Sequence, residues 1–175
     1  MSRALRLLPV VIAALLIGAF VWRLVNPPDS KIHSRLVGKP LPAFELPAAV
    51  PGVPGLNSPA LATGQPRLVN LFASWCVPCV AEAPVLAQLR RDGVAIDGIA
   101  VRDRPEELAD FLQRHGNPFE RIGADQSSRV QLALGSAGVP ESFVVDGRGV
   151  IRYQHIGPIE AGDAPTILTE LEKAR

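Results

Sequence analysis

The chain carries two cysteines, Cys76 and Cys79, which stand three positions apart in Trp75-Cys76-Val77-Pro78-Cys79. A disulfide across so short a loop removes little entropy from the unfolded chain, because closure entropy grows with the number of residues enclosed. A structural staple therefore explains the spacing poorly, and thiol chemistry explains it better. The neighbours sharpen this. Arg67 to Phe72 (RLVNLF) is an apolar run fit for a buried strand, and from Cys76 to Arg91 apolar residues recur at helical spacing. A cysteine where a strand gives way to a helix lies beside unpaired backbone N–H groups and the positive end of the helix dipole. Both favour the thiolate, the species that attacks a disulfide sulfur. Cys76 is thus the candidate nucleophile, and Cys79, one turn on, the residue that resolves a mixed disulfide. Pro78 suits an early helical position, where its missing N–H has no partner to lose.

Other uses of two cysteines fit less well. A structural zinc site needs four ligands, and His33, His115 and His155 show no ligand spacing with the pair or with one another. No metal is expected. Covalent haem attachment needs a histidine directly after the second cysteine, where this chain has Val80. The formal net charge of +1 is spread without long runs of one sign, which gives no footprint for nucleic acid. The dithiol is itself a redox group, so no organic cofactor is required.

At the N-terminus, Leu7 to Trp22 reads LLPVVIAALLIGAFVW, and Arg23, Leu24 and Val25 extend it toward the length of a hydrocarbon core. Arg23 can snorkel to the headgroups. No small-residue cleavage site follows, so an uncleaved anchor is preferred to a removed signal. Arg3 and Arg6 precede the run and only Arg23 and Lys31 closely follow it, which favours a cytoplasmic N-terminus and an exported domain. That compartment tolerates disulfides. The expected division is 1–6 cytoplasmic, 7–25 transmembrane anchor, 26–36 proline-bearing linker and 37–175 folded domain.

Within that domain, Pro47 to Pro66 reads as loop with one short helical turn. Ala95 to Val101 reads as a second strand. Asp103, Pro105, Glu106 and Glu107 then look like an N-cap and an acidic first turn for a helix running to about His115. Ser127 to Leu134 reads as a short helix, Glu141 to Val145 and Val150 to His155 as a hairpin, and Pro165 to Ala174 as a last helix. Strands alternating with helices and ending in a hairpin and helix give an α/β sandwich with a mixed central sheet flanked by helices. That order fits a thioredoxin-like fold.

The segments Leu68–Phe72 and Ser74-Trp75-Cys76-Val77-Pro78-Cys79 resemble the thioredoxin-like strand, turn and redox helix. Val37-Gly38-Lys39-Pro40, Glu82, Gly116-Asn117-Pro118-Phe119 and Gly138-Val139-Pro140-Glu141-Ser142-Phe143 resemble the DsbE (CcmG) family, the thiol:disulfide interchange proteins of bacterial cytochrome c maturation. The resemblance spans nearly all of the domain and includes the anchor. It implies a cis Val139–Pro140 bond facing the cysteines, with the Val139 backbone turned out to pair with an extended peptide. It also implies that Glu82 and Glu141 are active-site acids, that Trp75 lines the docking surface, and that Arg102 to about Leu134 is a central insert. A carboxylate near a thiol disfavours the thiolate and can relay its proton, so neutralising either acid is expected to lower the Cys76 pKa.

The implied function is reduction of the CxxCH disulfide of apocytochrome c at the periplasmic face of a bacterial inner membrane. Electrons come from a membrane transporter of the DsbD or CcdA type, and other cytochrome c maturation proteins are possible partners. Two readings stay open beside it: a broader periplasmic disulfide reductase or isomerase, and a non-catalytic binding module or metal chaperone.

Overall fold

The computed structural model describes residues 3–25 and 34–175, which fall in two units, Met1–Lys31 and Ile32–Arg175. The first unit holds helix α1 (Arg3–Val25), of 23 residues. Its side chains are described from Ile12 onward, and Leu15, Leu16, Ile17, Phe20 and Leu24 among them are exposed. Among the described residues no helix is long and apolar enough to cross a membrane. The apolar run in the sequence starts at Leu7, ahead of the first described side chain.

The second unit is built on strands β1 (Glu45–Leu46), β2 (Leu56–Asn57), β3 (Arg67–Phe72), β4 (Ile96–Val101), β5 (Arg121–Asp125), β6 (Glu141–Val145) and β7 (Ile151–Ile156). Its helices are α2 (Val77–Arg91), α3 (Pro105–His115), α4 (Arg129–Ala133) and α5 (Ala164–Lys173). Five strands form one sheet in the order β5-β4-β3-β6-β7. Strands β3, β4 and β5 run parallel, and β6 and β7 return antiparallel, so the sheet is mixed. β1 and β2 pair separately, and the expected helical turn between Pro47 and Pro66 is the 3-10 turn Ser58–Leu61, capped by the Asn57 side chain.

The central strand β3 is buried along its whole length, and successive side chains enter different cores. Leu68, Phe72 and Val144 pack with Leu86, Leu89 and Phe111 against α2, α3 and α5. Val69, Leu71, Phe143 and Val145 pack with Leu61, Val130 and Leu134 on the other face. Each such side chain stabilises the fold by about 1.5–3 kcal/mol when fully buried, which is why an unbroken apolar run serves here where a one-sided strand would alternate.

Strand β5 is absent from the sequence reading. Arg-Ile-Gly-Ala-Asp has polar ends and little apolar pattern, and its strand character comes from pairing with β4, Gly98 opposite Ile122. The approach is close. A Cβ on Gly98 would lie 2.8 Å from Phe72 and 3.1 Å from Phe119, whose rings stack at 4.5 Å between centroids.

Two further expectations are corrected. Asp103 does not cap α3: the N-cap is Arg104, with no side-chain cap bond, and the Asp103 carboxylate turns to Ser74 instead. The folded unit also includes residues ahead of Val37. Ser34 donates its amide to Gln154 Oε1 and its hydroxyl to the Leu134 carbonyl, both at 2.6 Å.

Candidate active site

Cys76 and Cys79 form a disulfide at the start of α2. Cys76 is the N-cap, in extended conformation, and its Sγ accepts the Cys79 amide at 3.2 Å. The helix end thus directs a backbone donor at this sulfur, the arrangement that stabilises a thiolate once the bond is reduced. Both cysteines are buried, whereas Trp75 and Val77 beside them are 54% and 79% exposed. The apolar surface around the pair therefore faces solvent while the sulfurs are largely shielded. Trp75 is anchored at one point, its indole N–H donating to the Arg102 carbonyl at 3.3 Å.

The Val139–Pro140 bond is cis, as the resemblance implies. Val139 packs against both cores.

Glu82 is 1% exposed, which rules out the solvated helix charge that its sequence position allows. Its Oε1 accepts from Asn70 Nδ2 and its Oε2 from the Ile159 amide, each at 3.0 Å. Burial pushes its carboxyl up to about 7, and these two hydrogen bonds offset only part of the rise. Cys79 and Glu82, three apart on α2, share a small cavity of about 10 Å³ walled by Phe72, Ala83, Leu86 and Phe119. The Cys79 sulfur and a carboxyl raised to about 7 are thereby brought to one apolar pocket.

Glu141 is also buried but lies elsewhere. It pairs in register with Leu71, whereas Ser142 pairs with Asn70, so Glu141 faces the core opposite to the one beneath α2. Its carboxylate is held by Ser136 Oγ and Gln154 Nε2. Ser136 Oγ also reaches the Gly138 carbonyl at 2.9 Å, so Glu141 is tied to the loop that precedes the cis proline.

The partners of these acids are largely unmarked in the sequence. Asn70 carried a readable signal, an amide within RLVNLF that no buried strand accommodates without hydrogen-bond partners. It donates to both Glu82 and Ser142 Oγ. Ser136, Gln154 and the Ile159 amide carry no such mark. Of the histidines, His115 packs on Phe111, His155 Nε2 meets the Pro158 carbonyl, and His33 lies outside the described residues.

The Redoxin family model matches residues 36–171. The thiol:disulfide interchange protein HelX of Rhodobacter capsulatus is 37% identical over 159 residues, covering 91% of this chain and 90% of that protein. The thiol:disulfide interchange proteins DsbE of Pseudomonas fluorescens biotype C and Escherichia coli K12 are 38% and 32% identical, each over 91% of this chain and 88% of theirs. A thiol:disulfide interchange protein of the thioredoxin family from Chlorobium tepidum superposes with a TM-score of 0.63 at 25% identity, over 81% of this chain and 98% of that one. A secreted thiol-disulfide isomerase from Corynebacterium glutamicum shares the fold, with a TM-score of 0.65 at 20% identity, over 83% and 95%. With its dithiol at the head of α2, the chain belongs to the Redoxin family, among the DsbE and HelX thiol:disulfide interchange proteins, and is a thiol:disulfide oxidoreductase.

Proposed function

We propose that this protein is a reductant of exported proteins, held at the inner membrane by α1, which opens the CxxCH disulfide of apocytochrome c so that haem can be attached. The observation that supports it best is the pairing of a helix-capping Cys76 with a buried Glu82 beside Cys79, because the two groups serve successive steps. The Cys76 thiolate attacks one sulfur of the substrate disulfide. That bond breaks, the other substrate sulfur leaves as thiolate, and a mixed disulfide forms at Cys76. Glu82, in its ionised form, takes the proton of the Cys79 thiol. The Cys79 thiolate then attacks Cys76 Sγ, the second substrate thiolate leaves, and two electrons have passed to the substrate. The product on the enzyme is the Cys76–Cys79 disulfide present in the structure. A membrane thiol donor of the DsbD or CcdA type returns it to the dithiol.

The remaining residues act by placement. The Val139 backbone, set by the cis bond to the buried Pro140, and the exposed Trp75 are the groups against which an extended peptide is laid. Glu141 is a positioning residue that fixes the Ser136–Pro140 loop through Ser136. The anchor is supported by the apolar run of the sequence from Leu7 to Trp22.

A broader reductase or isomerase is the second reading, favoured by the uncharged surface that Trp75 and Val77 present. Trapping with Cys79→Ser in cells separates the two. Mixed disulfides at Cys76 with apocytochrome c and a membrane thiol donor are expected. A wide set of exported proteins without a cytochrome would overturn the dedicated role in favour of the broad one.

A further inference from the structure

Asp103 is 3% exposed, yet among the described residues it makes no ion pair and does not serve as the N-cap of the helix it precedes. Its Oδ2 accepts the Ser74 amide at 2.5 Å and its Oδ1 the Ser74 hydroxyl at 2.6 Å, across 29 residues of sequence. Oδ1 also takes the Arg104 amide at 2.9 Å. Ser74 is followed directly by Trp75 and Cys76. One residue upstream, Arg102 has φ 47, a left-handed conformation that disfavours any residue with a side chain. Its two backbone groups are both used: the amide donates to the Asp125 carbonyl at 3.1 Å, and the carbonyl receives the Trp75 indole. The Asp103 carbonyl in turn receives Gln126 Nε2 at 2.5 Å.

These contacts share one consequence. The turn from β4 into α3 leaves its helix cap vacant and accepts an unfavourable backbone angle, and each deviation places an acceptor on the Ser74–Trp75 segment. A carboxylate that satisfies both donors of one serine fixes that residue's backbone and side chain together. The indole bond to Arg102 then fixes the ring of the next residue.

We propose that Asp103 is a positioning residue for the active-site turn, holding Ser74 so that Trp75 and the Cys76 backbone present a preset surface to a polypeptide disulfide. The central insert thereby acts on specificity from its first residues, through Asp103 and Arg102, and from Gln126 behind them. The proposal rests on the reading that the substrate is a protein disulfide. A small disulfide reaches the sulfur alone, whereas a peptide must also lie against the indole, so loss of the clamp falls more heavily on the peptide.

The test uses the full chain with Trp22→Phe, which leaves Trp75 as the reporting indole of the two tryptophans in the sequence. Asp103→Ala, Asp103→Asn and Ser74→Ala are compared for kcat/KM on an oxidised CxxCH peptide and on hydroxyethyl disulfide, and for Trp75 fluorescence anisotropy. The ratio of peptide to small-disulfide kcat/KM is expected to fall about tenfold in Asp103→Ala, the scale of a lost charged hydrogen bond. Anisotropy should fall with it, and Ser74→Ala should add little to Asp103→Ala in the double variant. Should Asp103→Ala not fold, Asp103→Asn and Ser74→Ala, which remove fewer bonds, carry the same comparison. An unchanged ratio with unchanged anisotropy overturns the proposal, as does an equal fall on both substrates. A parent protein inert toward the peptide counts against the proposed substrate, and the anisotropy then decides the clamp alone.

Discussion

Toward the two ends of strand β3, buried acids keep different company, cationic side chains at one and neutral donors at the other. At its start, Arg67 is 6% exposed and bonds Asp97 at 2.5 Å and also Glu120, while Arg90 reaches Glu120 at 2.6 Å and Arg121 lies 3.6 Å from Asp97. Burial opposes the charges on both Arg67 and Asp97: hydrogen bonds and attraction from two carboxylates hold the Arg67 guanidinium above its ordinary value, while burial keeps the Asp97 carboxyl raised despite the cation. Toward the other end, Glu82 has two neutral donors, from Asn70 and Ile159, and its carboxyl rises to about 7. A buried charge matched by opposite charges is a structural element; one left with neutral partners stays titratable at working pH. The fold thus keeps its ionic cluster at one end of the strand and a raised carboxyl with neutral partners near the cysteine pair.

That contrast can be broken by substitution. The largest effect belongs to the thiol: Cys76→Ser should abolish turnover of disulfide substrates, measured as release of peptide thiols, whatever the state of the ionic cluster. Next is Arg67→Ala, which leaves Asp97 buried at 0% exposure without its close partner. It should cost about 3–5 kcal/mol of stability by denaturant unfolding, with the Cys76 thiolate titration unmoved.

Glu82→Gln should act in the other sense. A carboxyl raised from 4.5 to about 7 by burial binds its proton more tightly folded than unfolded, so the wild type loses stability as pH rises from 4.5 to 7 and is level above that. At pH 8 the variant should therefore be more stable by roughly 3 kcal/mol, and the gain should vanish below pH 4.5. Equal stability of the two proteins at both pH values would show that Glu82 is not held against its charge. The smallest effect is expected at the exposed pair Arg114–Asp110, 2.7 Å apart on α3, where Arg114→Ala should change stability by ~0.5 kcal/mol or less.

The same contrast shows what the sequence reveals. Arg67–Phe72 and Glu141–Val145 are read with the bounds they have in the fold, because each centres on apolar residues, Leu68, Val69, Leu71 and Phe72 in one and Phe143, Val144 and Val145 in the other, whose burial on both faces needs no knowledge of the rest. The dithiol and the cis bond are legible too, the first from spacing and helix position, the second from resemblance. Strand β5 is not, since its pairing with β4 and its packing under Leu46 and Leu56 are non-local. Asp103 is misread for a local reason. An aspartate before Pro105 suits a helix cap, and nothing near it in sequence reveals the competing serine 29 residues away. Glu82 and Glu141 both read as active-site acids, yet strand register separates them to opposite faces of the sheet. Glu82 shares a cavity with Cys79, whose lining does not include Glu141.

Transfer of the Cys79 proton to Glu82 is tested most directly by the pH dependence of mixed-disulfide resolution. In a single turnover with an oxidised CxxCH peptide, release of the second peptide thiol should rise with pH through an inflection near 7 in the wild type. In Glu82→Gln it should be slower at pH 7 by about 100-fold, the lower range for a positioned acid or base, and should lack that inflection. Superimposable profiles for the two proteins would contradict the account.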